Sequence, residues 1–91
     1  MGKKDYDAAI LEYTKAINLS AKFADGYYKR GLAYIEKADY ESAVRDLTKY
    51  IEIEPGLSGT YRHRASMYDR IGQKDLADAD RRTAKEKSLV K

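Results

Sequence analysis

The sequence predicts an all-α fold of five helices, arranged as antiparallel pairs that stack on one another. Residues 5–19, DYDAAILEYTKAINL, have a near copy at residues 39–53, DYESAVRDLTKYIEI, with six of fifteen positions identical. The offset is 34 residues (39 − 5), a period typical of stacked structural repeats. Apolar residues within each copy recur at steps of three and four, as on one face of an α-helix. Ala9, Ala43 and Ala77 continue the period into a fainter third copy.

The composition fits one small helical domain. The chain has 91 residues, of which 43% are hydrophobic and 36% charged, and it contains a single Pro. It contains no Cys, which excludes disulfides, thiolate metal sites and a Cys nucleophile. Its strictly aliphatic runs reach about four residues, too short for a membrane span or a secretory signal. We therefore expect a cytoplasmic protein.

Five helices are predicted in chain order, at residues 5–20, 24–37, 40–53, 58–71 and 74–88. Asp5 and Asp39 are predicted N-caps of the first and third helices, because a carboxylate oxygen accepts hydrogen bonds from first-turn amides. The connections of two to four residues make consecutive helices antiparallel neighbours.

The second helix contains Gly31 among Tyr27, Tyr34 and Ile35. A Gly in mid-helix costs about 1 kcal/mol relative to Ala. We interpret that cost as a sign that another helix approaches closely, with Ala9, Ala43 and Ala77 marking the same contact on the partner helices.

The last three helices show how the stack turns and ends. Glu54-Pro55-Gly56 is predicted to end the third helix, because Pro lacks an amide donor and Gly takes a left-handed cap. The fourth helix repeats the aromatic spacing with Tyr61 and Tyr68. In the fifth helix Lys74 stands at the position of Tyr6 and Tyr40. The fifth helix is therefore predicted to have a polar outer face and to cap the array.

One complete unit carries a recognisable motif. It contains, at characteristic spacings, Tyr27, Arg30-Gly31, Tyr34, Ala43, Leu47 and Pro55. This pattern resembles the tetratricopeptide repeat, a helix–turn–helix unit of about 34 residues. The resemblance implies a short right-handed solenoid of about two and a half repeats within one domain, residues 1–91. We divide the domain into a half repeat (1–22), a repeat (23–56) and a capping repeat (57–91).

Two arginines depart from the family pattern. Arg30 and Arg64 stand where tetratricopeptide repeats usually have Leu. Acidic residues precede each Arg by eighteen positions, so we predict that Glu12–Arg30 and Asp46–Arg64 ion pairs bridge adjacent units. The alternative is that each Arg simply extends into water.

The chain starts at the second helix of a unit. We therefore expect incomplete cover for a set of apolar residues in the first helix, namely Tyr6, Ile10, Leu11 and Ile17. Either residues upstream have been lost or another copy covers this end, and a homodimer is the interpretation we favour.

Catalysis is not indicated by the residues present. His63 is the only His, the chain has no Gly-rich phosphate loop, and no spacing assembles a nucleophile with a base. His63 and Asp69 are six positions apart on a helix and do not form a metal site. We predict no enzyme activity, no metal and no cofactor.

The resemblance implies a protein-interaction scaffold or adaptor, whose first helices line a concave groove that holds a peptide or a partner helix. Projected onto this chain, the groove residues are Tyr28, Lys29, Leu32, Arg62, His63 and Ser66. Lys29, Arg62 and His63 are expected to cluster and to favour an acidic residue or a C-terminal carboxylate. Gly59 and His63 replace the Lys and Arg by which one subtype binds chaperone tails, so that ligand is not expected.

Two alternatives remain open. The first is a structural module whose partner is its own copy. The second is nucleic-acid binding through a basic C-terminal helix with Arg81, Arg82, Lys85, Lys87 and Lys91, although that helix lacks aromatic residues for stacking on bases.

Overall fold

The computed structural model describes residues 5–20 and 22–89, which form five α-helices. The helices are α1 (Tyr6–Leu19), α2 (Ala24–Glu36), α3 (Tyr40–Ile53), α4 (Ser58–Arg70) and α5 (Lys74–Leu89). Each lies within one residue of its predicted bounds, and no strand occurs among these residues. The predicted all-α solenoid is therefore confirmed. Lys91, assigned above to the basic helix, lies outside the described residues.

The two predicted N-caps are confirmed. Asp5 Oδ1 accepts a hydrogen bond from the Ala8 amide at 3.0 Å. Asp39 Oδ1 accepts one from the Ser42 amide at 3.3 Å. Both carboxylates thereby satisfy first-turn donors that have no partner within the helix.

Left-handed backbone occurs at two described positions that lie one period apart, Ala38 (φ 63°) and Gly72 (φ 82°). Each lets the chain turn back within three residues between the two helices of a unit. The following amide then bonds a carbonyl in the last turn, Asp39 to Tyr34 at 2.9 Å and Gln73 to Tyr68 at 2.8 Å.

The prediction of a left-handed cap at Gly56 is wrong. Gly56 has no positive φ, and α3 ends at Ile53, with the Glu54 amide donating to the Tyr50 carbonyl at 2.7 Å. The connection from α3 to α4 has four residues, one more than the connections within units. The longer link reverses the chain without a left-handed residue.

The core lies between consecutive helices. Ala43 and Leu47 of α3 are fully buried and form a cluster with Met67 of α4. A second cluster joins Ile51, Tyr61 and Ala84. Each cluster contains a small residue, Ala43 in the first and Ala84 in the second.

Gly31 faces α3 as expected. A Cβ at Gly31 would lie 3.4 Å from Asp46 Cβ and 3.6 Å from the Leu47 side chain. The helices are therefore close but leave room for one methyl group.

The first helix is covered less completely than α3. Ala9 is partly exposed, whereas its counterparts Ala43 and Ala77 are fully buried. Leu11 is 55% exposed, as expected. The expectation of an uncovered Ile17 is wrong: Ile17 is buried because Gly26 of α2, which has no side chain, lies against it. Among the described helices, none combines the length and the apolar character required to cross a bilayer.

Candidate protein interaction surface

The two unusual arginines form matching ion pairs one period apart. Arg30 donates to both carboxylate oxygens of Asp46, from Nε at 2.8 Å and from Nη2 at 2.7 Å. Arg64 binds Asp80 in the same way at 2.8 and 2.7 Å. Asp46 and Asp80 are 4% and 5% exposed, so each buried carboxylate is satisfied by a bidentate guanidinium.

The predicted pairs Glu12–Arg30 and Asp46–Arg64 are therefore wrong. Each Arg binds the Asp sixteen residues after it, on the second helix of its own unit. The short turn between those helices places the two side chains opposite each other.

The predicted link between units exists in another form. Arg30 Nη1 donates to Thr14 Oγ1 at 3.0 Å, and Arg64 Nη1 donates to Thr48 Oγ1 at 3.1 Å. Thr14 and Thr48 repeat at the same period, so the pattern was present in the sequence. Only the choice of the acid sixteen residues after each Arg, rather than the acid eighteen residues before it, required the structure.

These arginines are structural groups. The hydrogen bond to Asp46 raises the pKa of the Arg30 guanidinium above its ordinary value, and partial burial opposes that shift. The guanidinium of Arg64 lies 5.9 Å from the Tyr61 ring centre and 5.5 Å from that of Tyr68. Both cations are engaged inside the stack and are not offered to a ligand.

Among the predicted groove residues, Tyr28 and His63 meet. The Tyr28 hydroxyl lies 3.4 Å from His63 Nδ1, and the two rings stack with centres 6.1 Å apart. Tyr28 also packs against Tyr50, with ring centres 5.1 Å apart. An aromatic patch of Tyr28, Tyr50 and His63 thus joins α2, α3 and α4.

The other groove residues have separate surroundings. Lys29 Nζ lies 3.7 Å from Asp25 Oδ2 on its own helix. Arg62 reaches toward α5 and donates to Ser88 Oγ at 3.0 Å. Ser66 is exposed on α4, and Leu32 is partly buried on α2. Lys29, Arg62 and His63 therefore each have a different neighbour.

A cavity of about 400 Å³ lies between α1 and α2. Two predicted groove residues, Lys29 and Leu32, help to line it. The full lining is Asp5, Tyr6, Ala9, Tyr13, Lys29, Leu32, Ala33 and Glu36. The sequence analysis did not predict this cavity, although it did predict incomplete cover of the apolar residues of α1.

Acidic neighbours partly neutralise the C-terminal helix. Arg81 contacts the carboxylates of Asp69 and Asp78. No group of three or more potential metal ligands occurs within the portion of the chain that the structure describes.

Two protein-family models match parts of this chain. A TPR repeat family model matches residues 2–37, and a tetratricopeptide repeat model matches residues 24–57. No curated protein sequence matches the chain.

Solved structures of MamA have the same fold. Two crystal structures share 33% identity with the chain over 92% of its length, with TM-scores of 0.88 and 0.86. The chain covers 49% and 46% of those proteins, about half their length. A third MamA structure, designated MSR-1 C2, is 18% identical over 92% of the chain and covers 48% of that protein; its TM-score of 0.85 supports the fold alone.

Proposed function

Because this chain belongs to the tetratricopeptide repeat family, whose members generally form non-catalytic interaction scaffolds, we propose that it binds a peptide or a helix of a partner protein across α2 and α4. The proposed surface comprises Tyr28, Lys29, Leu32, Arg62, His63 and Ser66. The observation that carries the proposal is the aromatic contact between Tyr28 and His63, which gives neighbouring first helices one continuous surface.

The chemistry of the surface supports a ligand of mixed character. Tyr28, Tyr50 and His63 offer rings, while Lys29 and Arg62 offer exposed cations. Lys29 is already near Asp25, so a ligand carboxylate competes with that side chain. We therefore expect a preference for acidic ligands that weakens with added salt.

A capture experiment tests the proposal. The chain is immobilised, exposed to lysate of its source, and compared with a Lys29→Ala/Arg62→Ala/His63→Ala variant. A matched control changes Lys15, Arg45 and Lys85 to Ala, which are exposed cations on α1, α3 and α5. Captured partners are then titrated as purified proteins. Loss in the groove variant with retention in the control supports the proposal, whereas equal affinity for all three proteins overturns it.

Self-association is a second candidate function. The exposed Leu11 and the cavity between α1 and α2 favour a homodimer through this end. Sedimentation velocity at tens of micromolar tests for the homodimer. A monomer at that concentration would exclude it. Nucleic-acid binding is less favoured, since Arg81 is engaged by two carboxylates.

A further inference from the structure

Two tyrosines pack together where the first turns of α2 meet the end of α3. The ring centres of Tyr28 and Tyr50 lie 5.1 Å apart, and the ring planes are tilted by 43°. Both residues are partly exposed, so each keeps a surface that another molecule can reach. An accessible aromatic ring attracts a cation through its π-system.

Two carboxylates flank this pair. Asp25 precedes Tyr28 by three residues on α2, a spacing that places two side chains on the same face of a helix. Glu54 follows Tyr50 by four residues, and its amide donates to the Tyr50 carbonyl at 2.7 Å, so the helical spacing still holds there. Both acids are exposed.

The two carboxylates act on the same point. Burial raises the pKa of the Tyr50 hydroxyl, and the negative charges of Glu54 and Asp25 raise it further. Carboxylates from two different helices therefore surround the hydroxyl end of one ring. A cation at this point is attracted by both carboxylates as well as by the ring.

The chain places its own cations over tyrosine rings elsewhere. Arg70, for example, lies 5.3 Å from the centre of the Tyr40 ring. In the part of the chain that the structure describes, no cation lies in this way over Tyr28 or Tyr50. The pair thus combines an accessible aromatic surface with two carboxylates and lacks the cation that both would attract.

The next unit shows that a guanidinium fits beside the end of a second helix. Arg62 stands one period after Tyr28, and Ser88 stands one period after Glu54. Arg62 Nη2 donates to Ser88 Oγ at 3.0 Å. In that unit the chain supplies the guanidinium, whereas Tyr28 holds the corresponding position in the preceding unit. A guanidinium beside Glu54 would therefore come from another molecule.

We propose that Tyr28 and Tyr50, together with Asp25 and Glu54, form a subsite for an arginine side chain of the partner protein. A guanidinium is planar, stacks on aromatic rings and donates to carboxylates in a fixed fork geometry. Lysine fits less well, because its ammonium is compact and strongly hydrated. The inference rests on the proposed scaffold function and names one residue type of the partner.

The contact between Asp25 and Lys29 opens when the subsite is filled. Lys29 Nζ lies 3.7 Å from Asp25 Oδ2, and the two side chains are 54% and 61% exposed. Exposed ion pairs of this kind contribute little to stability, so the exchange costs little. An arginine that binds Asp25 releases Lys29 for a carboxylate of the same partner. The partner segment therefore carries Arg together with Asp or Glu.

A small probe tests the subsite without the partner itself. N-acetyl-arginine amide is added to the intact chain with isotope-labelled tyrosine rings, and nuclear magnetic resonance follows the signals of Tyr28 and Tyr50. We expect saturable shifts at these rings, with a dissociation constant of roughly millimolar magnitude because the probe is small. N-acetyl-citrulline amide, which has nearly the same shape but no charge, should leave the signals unchanged. N-acetyl-lysine amide should bind about threefold more weakly.

Matched variants separate the two carboxylates from net charge. Glu54→Gln and Asp25→Asn are each expected to weaken binding of the arginine probe about threefold. Glu41→Gln, at an exposed position near the start of α3, makes the same change in charge and should leave the affinity unchanged. Lys29→Ala frees Asp25 and should strengthen binding about twofold. Circular dichroism melting confirms that each variant folds.

Each contrary result overturns the inference. Equal shifts with the citrulline probe mean that stacking without charge holds the side chain, and equal affinity for the lysine probe means that the carboxylates alone hold a cation. Shifts that do not saturate, or that Glu41→Gln reduces as much as Glu54→Gln does, mean general attraction of cations to acids.

The proposed function fails or stands separately. It is tested by capture with the variant that changes Lys29, Arg62 and His63, and none of the contrary probe results alters that outcome. Conversely, equal partner affinity in that variant, together with saturable binding of the arginine probe, rejects the proposed surface while the arginine subsite stands.

Discussion

At the scale of single residues, the same left-handed turn position is occupied by Ala in one unit and by Gly in the other. The turn inside each unit needs a left-handed residue, supplied by Ala38 in one unit and Gly72 in the other. A Cβ in this conformation crowds the following carbonyl, at a cost of roughly 1–2 kcal/mol, which Gly avoids. The turn at Ala38 is therefore strained relative to its counterpart.

Exchanging these residues should change stability in opposite directions. Ala38→Gly is expected to raise the free energy of unfolding by about 0.5–1 kcal/mol, since relief of strain exceeds the extra entropy that Gly gives the unfolded chain. Gly72→Ala is expected to lower it by about 1 kcal/mol. Urea unfolding followed by circular dichroism measures both. Destabilisation by Ala38→Gly would show that the turn is not strained.

The buried ion pair between Arg30 and Asp46 is a second feature at the scale of single residues. Arg30→Met leaves Asp46 buried without its bidentate donor, and we expect a loss of about 2–4 kcal/mol. Arg30→Met/Asp46→Leu should recover most of that loss, because the second change removes the buried charge. Arg45→Met, at an exposed position on α3, is the control. It should change the free energy of unfolding by less than about 0.5 kcal/mol. If the double variant were as unstable as the single one, lost packing rather than the unpaired carboxylate would be responsible.

At the scale of helices, the spacing between α2 and α3 depends on a small residue at Gly31. A methyl group there meets Asp46 Cβ at 3.4 Å, an ordinary contact. Gly31→Ala is therefore expected to stabilise the chain by up to about 1 kcal/mol through helix propensity. Gly31→Leu is expected to destabilise it by roughly 1–3 kcal/mol, because the larger side chain forces the helices apart.

Thermal unfolding of the two Gly31 variants separates these effects. Ala65, the counterpart in the next unit, is fully buried and shows that the site accommodates a methyl group. A lower melting temperature for Gly31→Ala than for the parent chain would mean that the helices approach more closely than 3.4 Å implies.

The helices were predictable because periodicity and end signals agree. Asp5 and Asp39 fix where α1 and α3 begin, and the repeat transfers each boundary to its counterpart. The partner of Arg30 was not predictable from spacing on one helix, because it depends on how the turn at Ala38 orients the next helix. The cavity beside Ala9 depends likewise on side chains from two helices, although the period identifies its lining once the complete unit is known.

At the scale of the whole molecule, stability is a sum of contacts between neighbouring helices. Each helix packs mainly against the next one along the chain, so no single core unites all five. Among the described residues, α1 contributes one buried side chain, Ile17, whereas α3 contributes Ala43, Asp46, Leu47 and Ile51. We therefore expect the first helix to open at a lower free energy than α3.

Hydrogen exchange should show this gradient directly. Amides in the middle of α1 are expected to exchange with lower protection than those of α3 and α4, because α1 opens without unfolding the rest. Ile17→Ala should reduce protection in α1 with little effect on α4, whereas Leu47→Ala should lower protection throughout, with a loss of about 2–5 kcal/mol. Equal protection in α1 and α3 would mean that the stack unfolds as one cooperative unit.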